Sequence, residues 1–92
     1  MNEEQAKTIA LQALSYLLGD EDVLQRFMDL SGVDPSDLRA RPDDPAMLAG
    51  ALDFFLGFEP QLLQMCEAMD LSADLPAQAR RCLHGGQFEE WS

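Results

Sequence analysis

The chain has 92 residues, 47% of them apolar, which is enough for one modest core and too little for two domains. Seventeen acidic residues against six basic ones give a net charge of −11, which on average repels nucleic acid and anionic lipid and favours a neutral or basic protein partner. No apolar run approaches the roughly 18 residues that cross a bilayer, the opening Met1-Asn2-Glu3-Glu4 is acidic where a secretory signal is basic, and Cys66 and Cys82 are a weak basis for a disulfide framework, so the chain reads as cytoplasmic with reduced thiols.

Ile9, Ala10, Ala13, Leu14 and Leu17 recur at helical spacing and predict a first helix over about residues 3–18. Gly19 is expected to close it in the left-handed conformation. Asp20 then caps a second helix, with Glu21 and Asp22 on its positive end and Val23, Leu24, Phe27 and Met28 facing inward. Gly32 suits the position just past that helix, and Val33 the apolar contact that follows it. Asp34-Pro35 starts a short third helix over 35–41, which Pro42 ends. Asp44-Pro45 repeats the signal and opens a fourth helix over 45–56, with Met47, Leu48, Ala51, Leu52 and Phe55 as its stripe; Gly50 within it points to a close helix approach. A fifth helix is expected over 60–70. A sixth starts between Ser72 and Leu75 and stops at His84-Gly85-Gly86.

The chain also repeats itself. Shifted by 38 residues, Thr8–Val33 lies over Ala46–Leu71 with six of 26 positions identical, among them Ala13/Ala51, Gly19/Gly57, Glu21/Glu59 and Leu24/Leu62. Each half reads as a long helix, a tight turn, a second helix and a short third one. The expectation is that the two turn glycines are equivalent and both have positive φ. Two copies are too few for a solenoid groove, so the halves must pack around one core. The fold class is therefore all-α: a single-domain bundle of about six helices, four longer and two short, over residues 1–86, with a tail at 87–92. Phe27 and Leu52 lie central in their stripes and are expected core residues.

Three runs carry a resemblance. They are Ala13-Leu14-x-x-Leu17-Leu18, then Leu24-x-x-Phe27-x-x-Leu30-Ser31-Gly32-Val33-Asp34-Pro35-x-Asp37-Leu38-Arg39, then Leu48-x-x-x-Leu52-x-Phe54-Phe55-Leu56. Over residues 5–83 the chain resembles a family of small bacterial proteins, found chiefly in alphaproteobacteria and catalogued as a domain of unknown function. The resemblance implies a helical fold and a bacterial source, and brings no catalytic or binding residues.

The candidate chemistries are thin. Cys66, Cys82 and His84 lack the paired spacing of a zinc site, and no metal or cofactor is expected. Asp20-Glu21-Asp22 and Asp43-Asp44 lack the alternating ligands of a calcium loop and fall where helices begin, so they read as caps. Cys82 stands near Arg80, Arg81 and His84, the setting of a small thiol enzyme, but it also falls on an apolar face beside Leu83 and reads as a buried structural thiol. The stretch from Phe27 to Arg41 resembles a helix-turn-helix reader of DNA, with 35–41 as recognition helix. That helix would lead with Asp34 and Asp37, where phosphates must be met. The leading expectation is a non-catalytic, acidic protein-interaction or regulatory module. Phe54 and Phe55 are adjacent and point about 100° apart, so both need not be buried. Phe54, Phe58, Phe88 and Trp91 are the candidate docking aromatics. The tail bearing Phe88 and Trp91 is expected either to fold back on the helices, to fray, or to dock on a basic, apolar groove of another protein.

Overall fold

The computed structural model describes residues 1–41 and 43–83. Six helices follow in order: α1 (Glu3–Leu18), α2 (Glu21–Ser31), α3 (Pro35–Ala40), α4 (Pro45–Leu56), α5 (Glu59–Ala68) and α6 (Leu75–Cys82). The fold is all-α, and no strand occurs among the described residues. The expected bounds of α1 and α4 are the observed ones, whereas α5 lies slightly N-terminal to its expected span. Pro42 and the expected stop of α6 at His84-Gly85-Gly86 lie outside the described residues. No single described helix is long and apolar enough to cross a membrane.

The helix starts follow from short polar side chains that satisfy orphan N–H groups. Asn2 Oδ1 accepts from Gln5 N at 2.8 Å while Asn2 N donates to Gln5 Oε1 at 3.1 Å, a reciprocal capping box. Asp20 accepts from Asp22 N at 3.0 Å and Val23 N at 3.3 Å. Asp34 caps α3 through Ser36 N, and Asp44 caps α4 through Ala46 N at 2.9 Å. α5 differs: Phe58 stands at its N-cap and makes no side-chain bond to the helix.

The two turn glycines are equivalent, but the expected positive φ is wrong. Gly19 has φ −88° and ψ −4°, and Gly57 has φ −84° and ψ −4°, both right-handed. Each continues its helix for one more step, with Gly19 N donating to Ser15 O and Gly57 N to Asp53 O. The chain turns at the next residue instead, where Asp20 (φ −129°) and Phe58 (φ −141°) are extended. A Cβ would meet nothing nearer than 3.5 Å at Gly19 or 3.4 Å at Gly57, so neither turn requires glycine.

The left-handed residues lie elsewhere and also obey the 38-residue shift. They are Gly32 (φ 75°) and Asp70 (φ 58°), the positions just past α2 and α5. Gly32 N donates to Met28 O at 2.8 Å, the single bond of a left-handed helix cap. Asp70 makes the fuller version, with Asp70 N on Glu67 O at 3.3 Å and Leu71 N on Cys66 O at 2.7 Å. The repeat then drifts: α3 starts at Pro35 but α6 starts at Leu75, and Ser72 donates its hydroxyl to Asp74 instead of capping. A left-handed non-glycine residue costs roughly 1–2 kcal/mol, somewhat less for Asp. Gly32→Ala is therefore expected to destabilise by about 1–2 kcal/mol, purely through the backbone, since nothing lies within 4 Å of the added carbon. Asp70→Gly is expected to stabilise by up to about 1 kcal/mol, helped by removing a carboxylate from the negative end of α5. Urea melts giving both variants the same sign of change would contradict the shared cap.

α1 lies at the centre and packs most extensively on α6, then on α4 and α2. Its Ala6, Ala10 and Ala13 are fully buried, a stripe of small side chains that lets neighbouring helices come close. Leu14 and Leu17 join Leu48, Leu52, Phe55, Met65 and Ala79 in one core, with Phe27 and Leu38 at its α2–α3 side. Among the described residues none of the buried ones is polar or charged. Phe55 is buried between Tyr16 (6.0 Å between centroids) and Phe54 (5.1 Å). Gly50 does not mark the expected close helix approach: a Cβ there would meet nothing within 4 Å. It faces an open groove.

Candidate functional site: an apolar groove between α2 and α4

The groove follows from how few residues hold α2 against α4. Phe27 reaches across and meets Phe54 edge-on at 5.6 Å. Beyond that contact the two helices stand apart and leave a groove of about 910 Å³. One wall is the α4 face Gly50, Asp53, Phe54 and Gly57, spaced i, i+3, i+4 and i+7. The other is α2, through Arg26, Phe27, Asp29, Leu30 and Ser31, and Phe58 closes one end. Leu30 is 74% exposed, the most exposed large apolar side chain among the described residues.

Polar groups on the rim are held in place. Arg80 of α6 donates Nε–H to Asp53 Oδ1 at 2.8 Å, which fixes the α4 rim. Gln25 Nε2 donates to Asp29 Oδ1 at 2.9 Å on the α2 rim. The Arg26 guanidinium lies 4.8 Å from the centroid of the Phe58 ring, within cation–π range.

Phe58 also breaks the repeat in an informative way. Its counterpart in the first half is Asp20, which caps α2. An apolar residue in place of such a cap costs about 0.5–2 kcal/mol. The second half forgoes that stabilisation and presents a half-exposed ring to the groove. Phe54 and Phe58, read from the sequence as docking aromatics, thus lie on one groove. Phe88 and Trp91 lie outside the described residues. Leu30, Gly50 and Arg26 were not singled out as site residues. The available signal was Leu30, an apolar residue beyond the inward stripe of α2 and beside polar Ser31.

The other candidates are less developed. Cys66 is buried; burial pushes its thiol up, and the Asp74 carboxylate adds to the effect. Cys82 is half-buried, not fully buried as expected, and its Sγ donates to Met1 O at 3.0 Å. His84 lies outside the described residues. Among the described residues no three His, Cys, Asp or Glu side chains come together as a metal would require. The helix-turn-helix stretch forms as α2, a turn through Gly32, and a six-residue α3 whose leading end carries Asp34 and Asp37. Leu38, the inward residue of α3, is fully buried.

Fold and site together define a small acidic all-α domain with an apolar groove between α2 and α4. The chain belongs to the family described as Protein of unknown function (DUF3572), matched over residues 3–86. No curated protein and no solved structure matches it.

Proposed function

We propose that the chain is a non-catalytic, cytoplasmic protein-interaction module that docks a neutral or basic partner through the α2–α4 groove. The observation that carries this reading is Phe58: it stands where the repeat has a capping aspartate, and its ring instead lines the groove beside Leu30 and Phe54. Apolar side chains held half-exposed at a cost to local stability are the residues from which interface anchors are drawn. The net charge of −11 supports a partner that is not acidic.

Phe58→Asp separates docking from folding. It restores the cap, so its melting temperature is expected to equal or exceed that of the wild type. A photoreactive residue at position 30 is expected to give discrete crosslinked products in cells, and Phe58→Asp to abolish them. The same label at Leu63 on α5, half-exposed and not part of the groove, serves as the control. Identical products from positions 30 and 63, or products indifferent to Phe58→Asp, would overturn the reading.

A further inference from the structure

We infer that the groove between α2 and α4 is the seat of the chain's own last residues, with Phe88 and Trp91 laid against Leu30, Phe54 and Phe58. Residues 84–92 lie outside the described residues, and the place where they start decides what they can reach. Arg80, one helical turn before Leu83, donates to Asp53 Oδ1 on the α4 rim at 2.8 Å, so α6 ends beside the groove. The α4 wall from Gly50 to Gly57 is about 10 Å long at 1.5 Å per residue. Residues 84–92 reach up to about 30 Å, which leaves about 20 Å for the approach. Gly85 and Gly86 permit a change of direction directly after α6. Phe88 and Trp91 can stand up to about 10 Å apart, so both rings fit along that wall.

The composition of the segment suits the lining. Leu30 and Phe58 are exposed, and a ring laid on either removes apolar surface from water. Phe54 and Phe58 offer ring partners, and aromatic pairs attract beyond the area they bury. Gly50 has nothing within 4 Å of where a Cβ would stand, so a large ring meets no side chain at that point of the wall. On the rim, Asp53 is paired with Arg80, and Asp29 accepts from the Gln25 amide at 2.9 Å. Arg26 lies 4.8 Å from the Phe58 ring and makes no ion pair among the described residues, which leaves it open to Glu89 or Glu90. A separate acidic peptide would be repelled by the net charge of −11. A tethered one is held at an effective concentration on the order of millimolar, so weak contacts suffice. Met1, which accepts from Cys82 Sγ at 3.0 Å, edges another cavity within reach, but that cavity is lined by no aromatic and no basic side chain. In a docking module the seated segment is what a partner must displace; that consequence rests on the docking reading, whereas the seating does not.

Trp91 is the chain's one tryptophan, so its fluorescence in the full chain reports the seat directly. Wild-type emission is expected to be blue-shifted and shielded from acrylamide. Phe58→Asp keeps the fold through its restored cap. It is expected to lower the ratio of seated to free segment at least about tenfold, read as red-shifted, quenchable emission. Thr8→Asp adds the same charge beside the cavity edged by Met1 and is expected to leave Trp91 unchanged. A photoreactive residue at position 30 of the purified chain is expected to join residues 84–92 within one molecule, in a yield independent of protein concentration. A solvent-open Trp91 in the wild type, a Trp91 that stays shielded in Phe58→Asp, release by Thr8→Asp, or a product that forms only between two chains would each overturn the inference. These readouts need no partner, so the two readings fail separately. A free segment together with specific products from position 30 in cells removes the seated segment and spares the docking reading. A seated segment with no such products does the reverse.

Discussion

Phe27→Ala is expected to lower the unfolding free energy by about 3–5 kcal/mol. A domain of this size holds roughly 5–10 kcal/mol in all, so the variant should be close to the edge of folding at room temperature. Phe27 is 1% exposed, and its ring meets Phe54 edge-on at 5.6 Å, a main apolar bridge from α2 to α4. Truncation removes the buried ring area and leaves a void that two loosely joined helices can only partly close. In a urea melt the midpoint should fall sharply while the slope stays close to wild type. An unfolding free energy within a few tenths of a kcal/mol of wild type would mean that the ring is not buried in solution, and would undermine the geometry of the groove as well.

Leu52→Ala is expected to cost about 2–5 kcal/mol, toward the upper part of that range. Leu52 is fully buried on α4, which packs against α1, α6, α5 and α2. A site walled by several helices collapses poorly around a lost side chain, and the residual cavity adds to the lost transfer energy. The same substitution at Leu30 or Leu63, 74% and 50% exposed, should stay within about 0.5 kcal/mol. Comparable losses at Leu52 and Leu30 would show that the apolar side chains of α2 and α4 are distributed differently between core and surface.

The helices were legible because their signals are local. Asp20, Asp34-Pro35 and Asp44-Pro45 each announce a start within a few residues, and apolar spacing gives the inward faces. The repeat was legible for the same reason, down to equivalent turns at Gly19 and Gly57. The conformation of those glycines was misread because glycine permits a left-handed turn without requiring one. Where an extended residue follows directly, the helix can end right-handed and the next residue makes the corner, as Asp20 and Phe58 do. The left-handed partner of Gly32 was hidden because an aspartate fills it, and Asp70 carries no local mark of its backbone. Gly50 was misread because a glycine within a helix signals either a close neighbour or an empty space. Only the separation of α2 from α4 decides between them, and that separation is a product of the whole core. Phe54 and Phe58 could be picked out as aromatics with too little core to bury them all. That Leu30 joins them depends on the angle at which α2 crosses, which no local pattern carries.

The central place of α1 has a consequence for how the chain comes off the ribosome. Its largest partner is α6, and roughly sixty residues are made between the two, about 3–12 s of translation at 5–20 residues per second. Until then α1 can pack only on the helices made before α6, chiefly α4 and α2. Helix growth takes nanoseconds per residue, so synthesis, not local folding, sets the moment of closure. For those seconds the chain lacks the largest packing partner of α1. Arrival of Pro76 and Ala79 supplies it, and by the same act Arg80 reaches Asp53, so the rim of the groove is completed only when the core is closed.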